Sequence, residues 1–210
     1  DLMILHLKSK IKKFKKKKYF KKKSKILDIG CNDGTFLNLM NKSNSLYGID
    51  PSASKFSKNF KNINLITDFF SKKKIIKKFG RGIKFDLITS FAVFYDVNNP
   101  NSFCRDIEEM LEKNGLWVCE ISYLPLMLKN LTYDQICHEH MTYYTFTVFK
   151  SIIERNDLKI IDVSLNEING GSIEVICAKK QSGHKENLKR INQIINDEKK
   201  INLQSYKKFK

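Results

Sequence analysis

Short apolar runs alternate with longer polar stretches along the first half of the chain. The polar stretches have the composition of helices and lie near residues 35–42, 53–60, 71–79 and 101–114. A strand that is apolar on both faces needs a helix layer above and below it, and this alternation favours parallel pairing. The pattern therefore predicts an α/β fold with a doubly wound, mostly parallel sheet. Its expected strands are residues 25–30, 45–50, 63–67, 85–90 and 115–122.

The alternation ends after residue 122, where a long connection leads to a predicted helix near residues 146–156. Two further apolar runs, residues 158–165 and 172–180, are separated by the turn sequence EINGG. Two such runs joined by a glycine-containing turn predict an antiparallel hairpin, which we expect at the edge of the sheet. The remaining residues, 183–210, are helical in pattern and highly charged.

The positive charge of the chain is concentrated near its first residues. Lysine and arginine number 39 against 22 acidic residues, which gives a formal net charge of +17. Twelve of the lysines lie between Lys8 and Lys25, and Asp1 is the only acid before residue 26. Such a segment either holds RNA, a phosphorylated ligand or an anionic surface, or is a solvated lead-in helix or loose tail. The excess of lysine over arginine throughout the chain favours the second interpretation.

The domain organisation expected from these patterns has three parts. Residues 1–24 form the lysine-rich arm, residues 25–182 form the α/β domain, and residues 183–210 form a charged helix. No apolar run approaches the roughly 20 residues that cross a bilayer, so a soluble protein without a membrane span is expected. The scattered cysteines form no CxxC pair, which argues against a zinc finger or disulfide framework and favours the cytoplasm. They are Cys31, Cys104, Cys119, Cys137 and Cys177.

The sequence ILDIGCNDGTFL, residues 26–37, has the character of a nucleotide-type site. An apolar strand runs directly into Gly30 and Gly34, which allow a tight turn at the start of a helix. Asp50 ends the next strand, where an acid can accept both hydroxyls of a ribose. A third glycine is missing, and Asp33 in the turn would repel a pyrophosphate. A cationic ligand that carries a ribose, S-adenosyl-L-methionine (SAM), fits better; a glycine-bearing turn of some other α/β protein is the alternative.

At these residues the sequence resembles the class I methyltransferases, whose first motif is a strand followed by D/E-x-G-x-x-x-G. Asp28, Gly30 and Gly34 match that motif. The resemblance implies a Rossmann-like fold and SAM as cofactor. It also implies that Asp50 holds the ribose and Asp68 contacts the adenine amine, while Ser90 and Phe91 line the methionine end. The expected cofactor-binding residues are Asp28, Gly30, Asn32, Asp33, Gly34, Asp50, Asp68, Phe69, Ser90 and Phe91.

The sequence YDQICHEHMTYY, residues 133–144, crowds two of the four histidines around Glu139. As a metal site it lacks a third ligand, because the neighbours of His138 and His140 would point the other way in an extended segment. As ordinary packing it would be a satisfied polar core. As an acid–base cluster it would have an imidazole that titrates near neutrality beside groups that orient it. Methyl transfer to carbon needs such a base, and no metal is expected.

Together with SFAVFYDVNNP, CEISYLPLML and NGGSIEVICAKK, this stretch resembles the sugar C-methyltransferases, which methylate nucleotide-linked keto-deoxysugars. The resemblance implies that His140 is the general base that removes a proton alpha to the sugar ketone. It further implies that Glu139 orients or polarises the site and that Tyr143 or Tyr144 binds the sugar or stabilises the enolate. The catalytic candidates are His138, Glu139, His140, Tyr143 and Tyr144.

The chain departs from the family pattern in ways that favour a sister subfamily with a different acceptor. Cys137 replaces the usual tyrosine, Tyr95 and Asp96 lie where a histidine is frequent, and Glu174 lies where a basic residue is common. The cysteine-rich domain and the second α/β domain of the family are also missing, which suggests a truncated product or a fragment. The alternatives are an RNA or protein methyltransferase that uses residues 8–25, or a non-catalytic remnant that binds SAM.

Overall fold

The computed structural model describes residues 2–201, which form one sheet with helices on both faces. The strands are β1 (Lys25–Ile29), β2 (Ser45–Ile49), β3 (Asn64–Ile66), β4 (Phe85–Phe91), β5 (Leu111–Ser122), β6 (Leu158–Asn166) and β7 (Ser172–Lys179). The helices are α1 (Leu2–Lys16), α2 (Thr35–Leu39), α3 (Lys72–Phe79), α4 (Pro100–Met110), α5 (Leu124–Asn130), α6 (Phe146–Arg155) and α7 (Leu188–Ile201).

The strand order is β3-β2-β1-β4-β5-β7-β6. Strands β1 to β5 pair in parallel with their neighbours, and β7 pairs antiparallel with both β5 and β6. The predicted mostly parallel sheet with an antiparallel hairpin at its edge is therefore confirmed. Because the parallel strands all point the same way, the segments that follow β1, β2, β4 and β5 meet at one edge of the sheet.

Each face of the sheet has its own hydrophobic core. One core is covered by α3, α4, α6 and α7 and contains the largest buried side chain, Trp117, together with Phe85, Phe94 and Phe149. The other core is covered by α1 and α2. Burial on both faces explains why the central strands read as continuous apolar runs in the sequence.

The predicted helix at 101–114 is too long, since α4 ends at Met110 and β5 already begins at Leu111. At Gly115 a Cβ atom would lie only 2.6 Å from the carbonyl oxygen of Phe85, so the backbones of β4 and β5 approach closely there. This close approach draws the chain into the sheet before the apolar run begins. The predicted helix at 35–42 is likewise shorter, Thr35–Leu39, and α5 was not predicted.

Residues 2–16 are neither a loose tail nor a solvated lead-in helix, as the first residues of the chain were expected to be. They form α1, whose apolar residues Leu7, Ile11 and Phe14 are buried in the core with strands β1, β4, β5 and β7. Lys10 is buried as well. The spacing of these residues places them on one helix face, and Lys8 and Lys12 between them are exposed. Helix α1 is therefore part of the same packed unit as the sheet.

The charged segment after residue 182 contains α7, which also packs against the sheet. Ile191 is buried in the core, and Arg190 forms an ion pair with Asp162 of β6, with 3.1 Å between Nη1 and Oδ2. Residues 202–210 of the predicted charged helix lie outside the described residues. Within residues 2–201, no helix combines the length and the hydropathy needed to cross a membrane.

Candidate active site

The turn after β1 is built on glycine. Gly30 has φ +73° and Gly34 has φ +79°, in the left-handed region that L side chains avoid. A Cβ on Gly30 would lie 2.3 Å from Cγ2 of Val93, and a Cβ on Gly34 would lie 3.0 Å from the ring of Phe60. Both positions thus require glycine for conformation and for space, as expected of a turn that wraps closely around a ligand.

Asp50 holds this turn from the end of β2. Its Oδ2 accepts a hydrogen bond from the backbone N–H of Asn32 (3.0 Å), and its Oδ1 accepts from the N–H and hydroxyl of Ser52 (both 2.6 Å). Asp33, in the turn itself, accepts from the N–H (2.9 Å) and hydroxyl (2.8 Å) of Thr35 at the start of α2. The structure therefore brings Asn32, Asp33 and Asp50 together beside the glycines.

Asp28 is buried beneath the turn, where its Oδ1 accepts a hydrogen bond from the hydroxyl of Thr89 (2.6 Å). Burial raises the pKa of Asp28 to about 7; the hydrogen bond from Thr89 opposes the rise, and the charge of Asp50 adds to it. Near neutral pH this carboxyl group is thus poised between its two protonation states. A positive charge nearby would favour the ionised form.

The two candidates after β3 lie at the surface. The Asp68 carboxylate accepts hydrogen bonds from Nζ of Lys74 (2.6 Å) and the N–H of Phe69 (2.8 Å). The hydrogen bond from Lys74, followed by that from Phe69, lowers the pKa of Asp68. The Phe69 ring is 72% exposed, which makes it a free apolar face at the edge of the site. Their contact with an adenine stays a prediction.

Of the two candidates at the end of β4, one side chain is partly exposed and the other is buried. Ser90 is fully buried, and its hydroxyl accepts a hydrogen bond from the Trp117 indole N–H (2.9 Å). The expectation that the Ser90 side chain lines the methionine end is therefore not met, because its position on the strand directs it into the core with Trp117. Phe91 is partly exposed and packs edge-on against Phe36, with ring centroids 5.1 Å apart.

His140 lies in a structured loop after α5. Its Nδ1 donates a hydrogen bond to the carbonyl oxygen of Gln135 (2.8 Å), and its ring packs on the ring of Tyr95 with centroids 4.2 Å apart. Because a carbonyl can only accept, this bond places the proton of the neutral imidazole on Nδ1 and leaves Nε2 with a lone pair. The imidazole is therefore oriented as a proton acceptor.

The carbonyl of Gln135 also organises the neighbouring residues. The hydroxyl of Tyr143 donates to this same oxygen (3.2 Å), and the side-chain oxygen of Gln135 accepts from the hydroxyl of Ser122 (3.0 Å). The backbone N–H of Thr142, in the same loop, donates to the carbonyl oxygen of Tyr95 (3.2 Å). These contacts tie the loop that carries His140 to the end of β5 and to the segment after β4.

The segment after β4 connects the glycine turn with the imidazole. Val93 occupies the space beside Gly30, and Tyr95, two residues later, packs on His140. In the same segment, partial burial raises the pKa of Asp96; the charge of His140 opposes the rise and that of Glu139 adds to it. An ionised Asp96 would therefore favour a protonated imidazole at His140.

The other catalytic candidates are not all brought to this point. His138 and Glu139 are exposed. Tyr144 is buried in the core, where its ring packs on Phe94 (5.4 Å) and Phe149 (6.2 Å), so a contact with substrate is ruled out for its side chain in this arrangement. His138 and Glu139 lie in a turn, where the N–H of His140 donates to the carbonyl oxygen of Cys137 (3.2 Å), so the extended segment expected at these residues is not formed. Within residues 2–201 no group of three or more His, Cys, Asp or Glu side chains is arranged to hold a metal ion.

A family model described as a methyltransferase domain matches residues 3–163 of the chain. The chain belongs to this methyltransferase domain family. The relatives of this methyltransferase domain include C-methyltransferase NovU of Streptomyces niveus, which is 25% identical over 164 residues, or 76% of this chain and 38% of that protein. The tRNA U34 carboxymethyltransferase of Campylobacter jejuni (strain RM1221) is 28% identical over 148 residues, 66% of this chain and 50% of that protein. The chain thus spans half or less of the length of these relatives.

Solved methyltransferase structures share the fold of the domain. The plantazolicin methyltransferase BpumL, crystallised with SAH, superposes with a TM-score of 0.60 at 15% identity and covers 83% of each chain. The magnesium protoporphyrin IX methyltransferase ChlM from Synechocystis PCC 6803, also with SAH, gives a TM-score of 0.61 at 11% identity and covers 84% of this chain and 83% of that one. The predicted fold class is confirmed, and the match to the methyltransferase domain family supports the predicted enzyme class and the predicted cofactor, SAM. The acceptor, the roles of the site residues and the cytoplasmic location stay predictions.

Several residues of the site have no motif in the sequence that would have revealed them. Gln135 acts through its backbone carbonyl, which no side-chain pattern encodes, and Ser122 is an ordinary residue at the end of β5. Tyr95 and Asp96 lie where the family often has a histidine, and this departure was the one signal in the sequence that could have pointed to them. The structure places them after β4, at the edge of the sheet where ligands bind in folds of this kind.

A buried ion cluster beneath α1 was also missed. Lys10 forms ion pairs with Glu120 of β5, at 2.5 Å, and with Glu174 of β7, and Lys13 pairs with Glu174 at 2.6 Å. The His6 ring adds a contact of 2.8 Å to Glu120. The unexpected acid at Glu174 is thus matched by lysines of α1, and Nζ of Lys10 lies 5.2 Å from the centroid of the Phe91 ring.

Proposed function

We propose that this methyltransferase domain binds SAM at the turn formed by residues 30–34 and methylates a carbon atom of a nucleotide-linked keto-deoxysugar, with His140 as the general base. The observation that carries the proposal is the hydrogen bond from Nδ1 of His140 to the Gln135 carbonyl, which makes Nε2 the basic nitrogen. The similarity to NovU, a C-methyltransferase, supports methyl transfer to carbon.

The residues around the turn fit this cofactor. The turn requires glycine at Gly30 and Gly34, and its polar lining consists of the carboxyl groups of Asp28, Asp33 and Asp50. Such a lining disfavours a pyrophosphate and favours a positively charged ligand. Asp50 would hold the ribose at the one acceptor site that its three present bonds leave available, since a carboxylate has about four such sites. When bound, the cofactor supplies a methyl group on a sulfonium, which is a good leaving group.

The residues of the loop would prepare the acceptor for attack. Nε2 of His140 takes a proton from the carbon next to the ketone, and the electron pair of that C–H bond forms the enolate. The enolate carbon would then be the nucleophile for the methyl group that the bound cofactor would supply. Tyr95 holds the imidazole ring by packing, and the carboxyl group of Asp96 stabilises its protonated form. A base positioned in this way typically accelerates proton transfer by about 10²–10⁴-fold.

Cofactor binding is expected to depend on pH through Asp28. The folded protein without ligand has a pKa near 7 at this residue, and a sulfonium or ammonium group beside it would lower that pKa. Binding should therefore release a proton, and the affinity for SAM should rise as the pH increases through about 7. Calorimetry at pH 6, 7 and 8, in two buffers with different ionisation enthalpies, measures both effects.

The matched variant is Asp28→Asn, which keeps the size of the side chain and cannot ionise. It should show a flat dependence of affinity on pH and no proton release. An equally steep dependence in Asp28→Asn would exclude Asp28 as the titrating group.

The acceptor is tested by incubating the protein with SAM and, separately, with nucleotide-linked keto-deoxysugars and with tRNA. Deleting residues 1–24 would be a poor control, because α1 supplies Leu7, Ile11 and Phe14 to the core. A better control replaces the exposed lysines of α1, namely Lys8, Lys12, Lys15 and Lys16, with glutamine. We expect methyl transfer to a sugar nucleotide, retained in the glutamine variant. Methylation of tRNA that this variant loses would favour the RNA enzyme, and SAM binding without transfer to any acceptor would favour the remnant.

A further inference from the structure

A single buried carboxylate in α7 accepts four hydrogen bonds. Oε1 of Glu198 accepts from the hydroxyl of Tyr123 (2.8 Å) and from the backbone N–H of Phe146 (2.5 Å). Oε2 accepts from the N–H (2.9 Å) and the hydroxyl (2.5 Å) of Thr147. Glu198 is only 8% exposed, so these bonds replace the water that an ionised group would otherwise need. No step of the proposed reaction uses this carboxylate.

The four donors lie at the two ends of the connection between β5 and α6. Tyr123 is the residue directly after β5, and Phe146 and Thr147 form the first turn of α6. Between them lie α5 and the loop that carries His140. A backbone hydrogen bond joins the two ends of this connection at the same place: the N–H of Leu124 donates to the carbonyl of Tyr144 (3.1 Å). Glu198 therefore forms hydrogen bonds with both ends of this connection.

The chemistry at the returning end suits a carboxylate. The first N–H groups of a helix have no partner within the helix, and its dipole favours a negative charge there. Thr145 caps α6 in the usual way by accepting from the N–H of Val148 (3.3 Å), which leaves the N–H groups of Phe146 and Thr147 for Glu198. Because the carboxylate comes from α7, the position of the loop is coupled to the docking of that helix.

We propose that Glu198 is a positioning residue for the base: by bonding Tyr123 and the start of α6, it holds the loop so that His140 stays packed on Tyr95. The proposal rests on the assignment of His140 as general base. If the hydrogen bonds of Glu198 at one end of this connection are lost, the loop can shift as a unit, and the imidazole would separate from Tyr95. Cofactor affinity should be unaffected, because the turn at residues 30–34 follows β1 and Asp50 follows β2, and both lie outside the connection that Glu198 holds.

The test compares Glu198→Gln with Asp197→Asn. The glutamine keeps the size of the side chain but replaces one carboxylate oxygen with an NH2 group, which can only donate. This NH2 group would face either the donors of Thr147 or the donors of Tyr123 and Phe146, depending on which oxygen it replaces. Asp197 is the exposed neighbour on the same helix, bonded only to Gln193 and Lys200 in the described structure. Amide hydrogen exchange across residues 131–145 is measured together with kcat, KM and SAM affinity, well below the melting temperature of each variant.

We expect Glu198→Gln to raise exchange across residues 131–145 and to lower kcat, each by about tenfold or more, because hydrogen bonds to a charged group are lost. The dissociation constant for SAM should stay within about twofold, and Asp197→Asn should match the wild type. Thr147→Val and Tyr123→Phe each remove one donor and should shift exchange in the same direction by less; they serve as the test if Glu198→Gln does not fold.

Unchanged exchange and kcat in these variants, with only a lower melting temperature, would overturn the proposal and leave Glu198 a purely structural residue. The exchange measurement needs no acceptor, so it is independent of the proposed function. If exchange rises as expected while His140 variants keep full activity, the error lies in the assignment of the base.

Discussion

Replacing His140 with glutamine is expected to slow removal of the acceptor proton by about 10²–10⁴-fold, the range typical of a positioned general base. Glutamine retains polarity and comparable bulk but offers no nitrogen that accepts a proton near neutral pH. The measurement is exchange of the proton next to the ketone in deuterated water, followed by NMR or mass spectrometry, on the sugar nucleotide that serves as acceptor. Affinity for SAM should remain close to that of the wild type, because the imidazole is outside the glycine turn.

His138→Gln is the comparison variant, because His138 is exposed two residues away in the same loop. It should keep most of the exchange activity. If the His138 variant lost exchange and the His140 variant kept it, the base would be His138 and the assignment of His140 would be wrong.

Replacing Lys10 with methionine is expected to lower the free energy of unfolding by about 3–5 kcal/mol, the usual cost of removing one partner from a buried ion pair. The change leaves the buried carboxylates of Glu120 and Glu174 without their shared partner, while the contacts from His6 and Lys13 and the hydrogen bond from Asn166 to Glu120 (2.7 Å) remain. Methionine keeps the packing of the aliphatic chain, so the loss reports mainly on charge. Urea denaturation measures it, with Lys12→Met, an exposed position on the same helix, expected to stay within about 0.5 kcal/mol of the wild type.

The pH dependence of this loss has a definite sign. Burial alone would raise the pKa of Glu120 and of Glu174, but the contacts from His6 and Lys10, and from Lys10 and Lys13, outweigh burial and lower both values below 4.5. The stabilisation is therefore present above the unfolded pKa and is lost as the pH falls through the folded values. Without Lys10 both pKa values rise, so the difference between wild type and variant should grow from pH 4 to pH 7. A difference that is constant or shrinks with pH would contradict the ion cluster.

The strands and their mostly parallel pairing could be predicted because they follow from local patterns, whereas the order of the strands was not predicted. Each central strand is apolar on both faces, and the glycine turns at residues 30 and 170–171 mark where a strand ends or the hairpin reverses. The packing of α1 could not be predicted, since its lysines read as a solvated arm. Lys10 differs from its exposed neighbours only through Glu120 and Glu174, and these lie 110 and 164 residues away along the chain.

The candidate site shows the same limit at the level of single residues. The turn and Asp50 were accessible from spacing, because strand, turn and helix form one local unit. Ser90 and Tyr144 were misplaced because a motif identifies a segment without giving the side to which each residue points. Ser90 faces Trp117 and Tyr144 faces Phe94, and both orientations are set by the register of the sheet and the packing of α6.

The anchoring of α1 has a consequence for synthesis of the chain. Its charged partner on β7 leaves the ribosome 164 residues after Lys10, which corresponds to roughly ten to thirty seconds of translation. During that interval the apolar face formed by Leu7, Ile11 and Phe14 has no completed sheet to cover it, and a nascent polypeptide in this condition is a natural client for chaperones. Helix α1 therefore completes its docking only after β7 has been made, although α1 itself is made far earlier than β7.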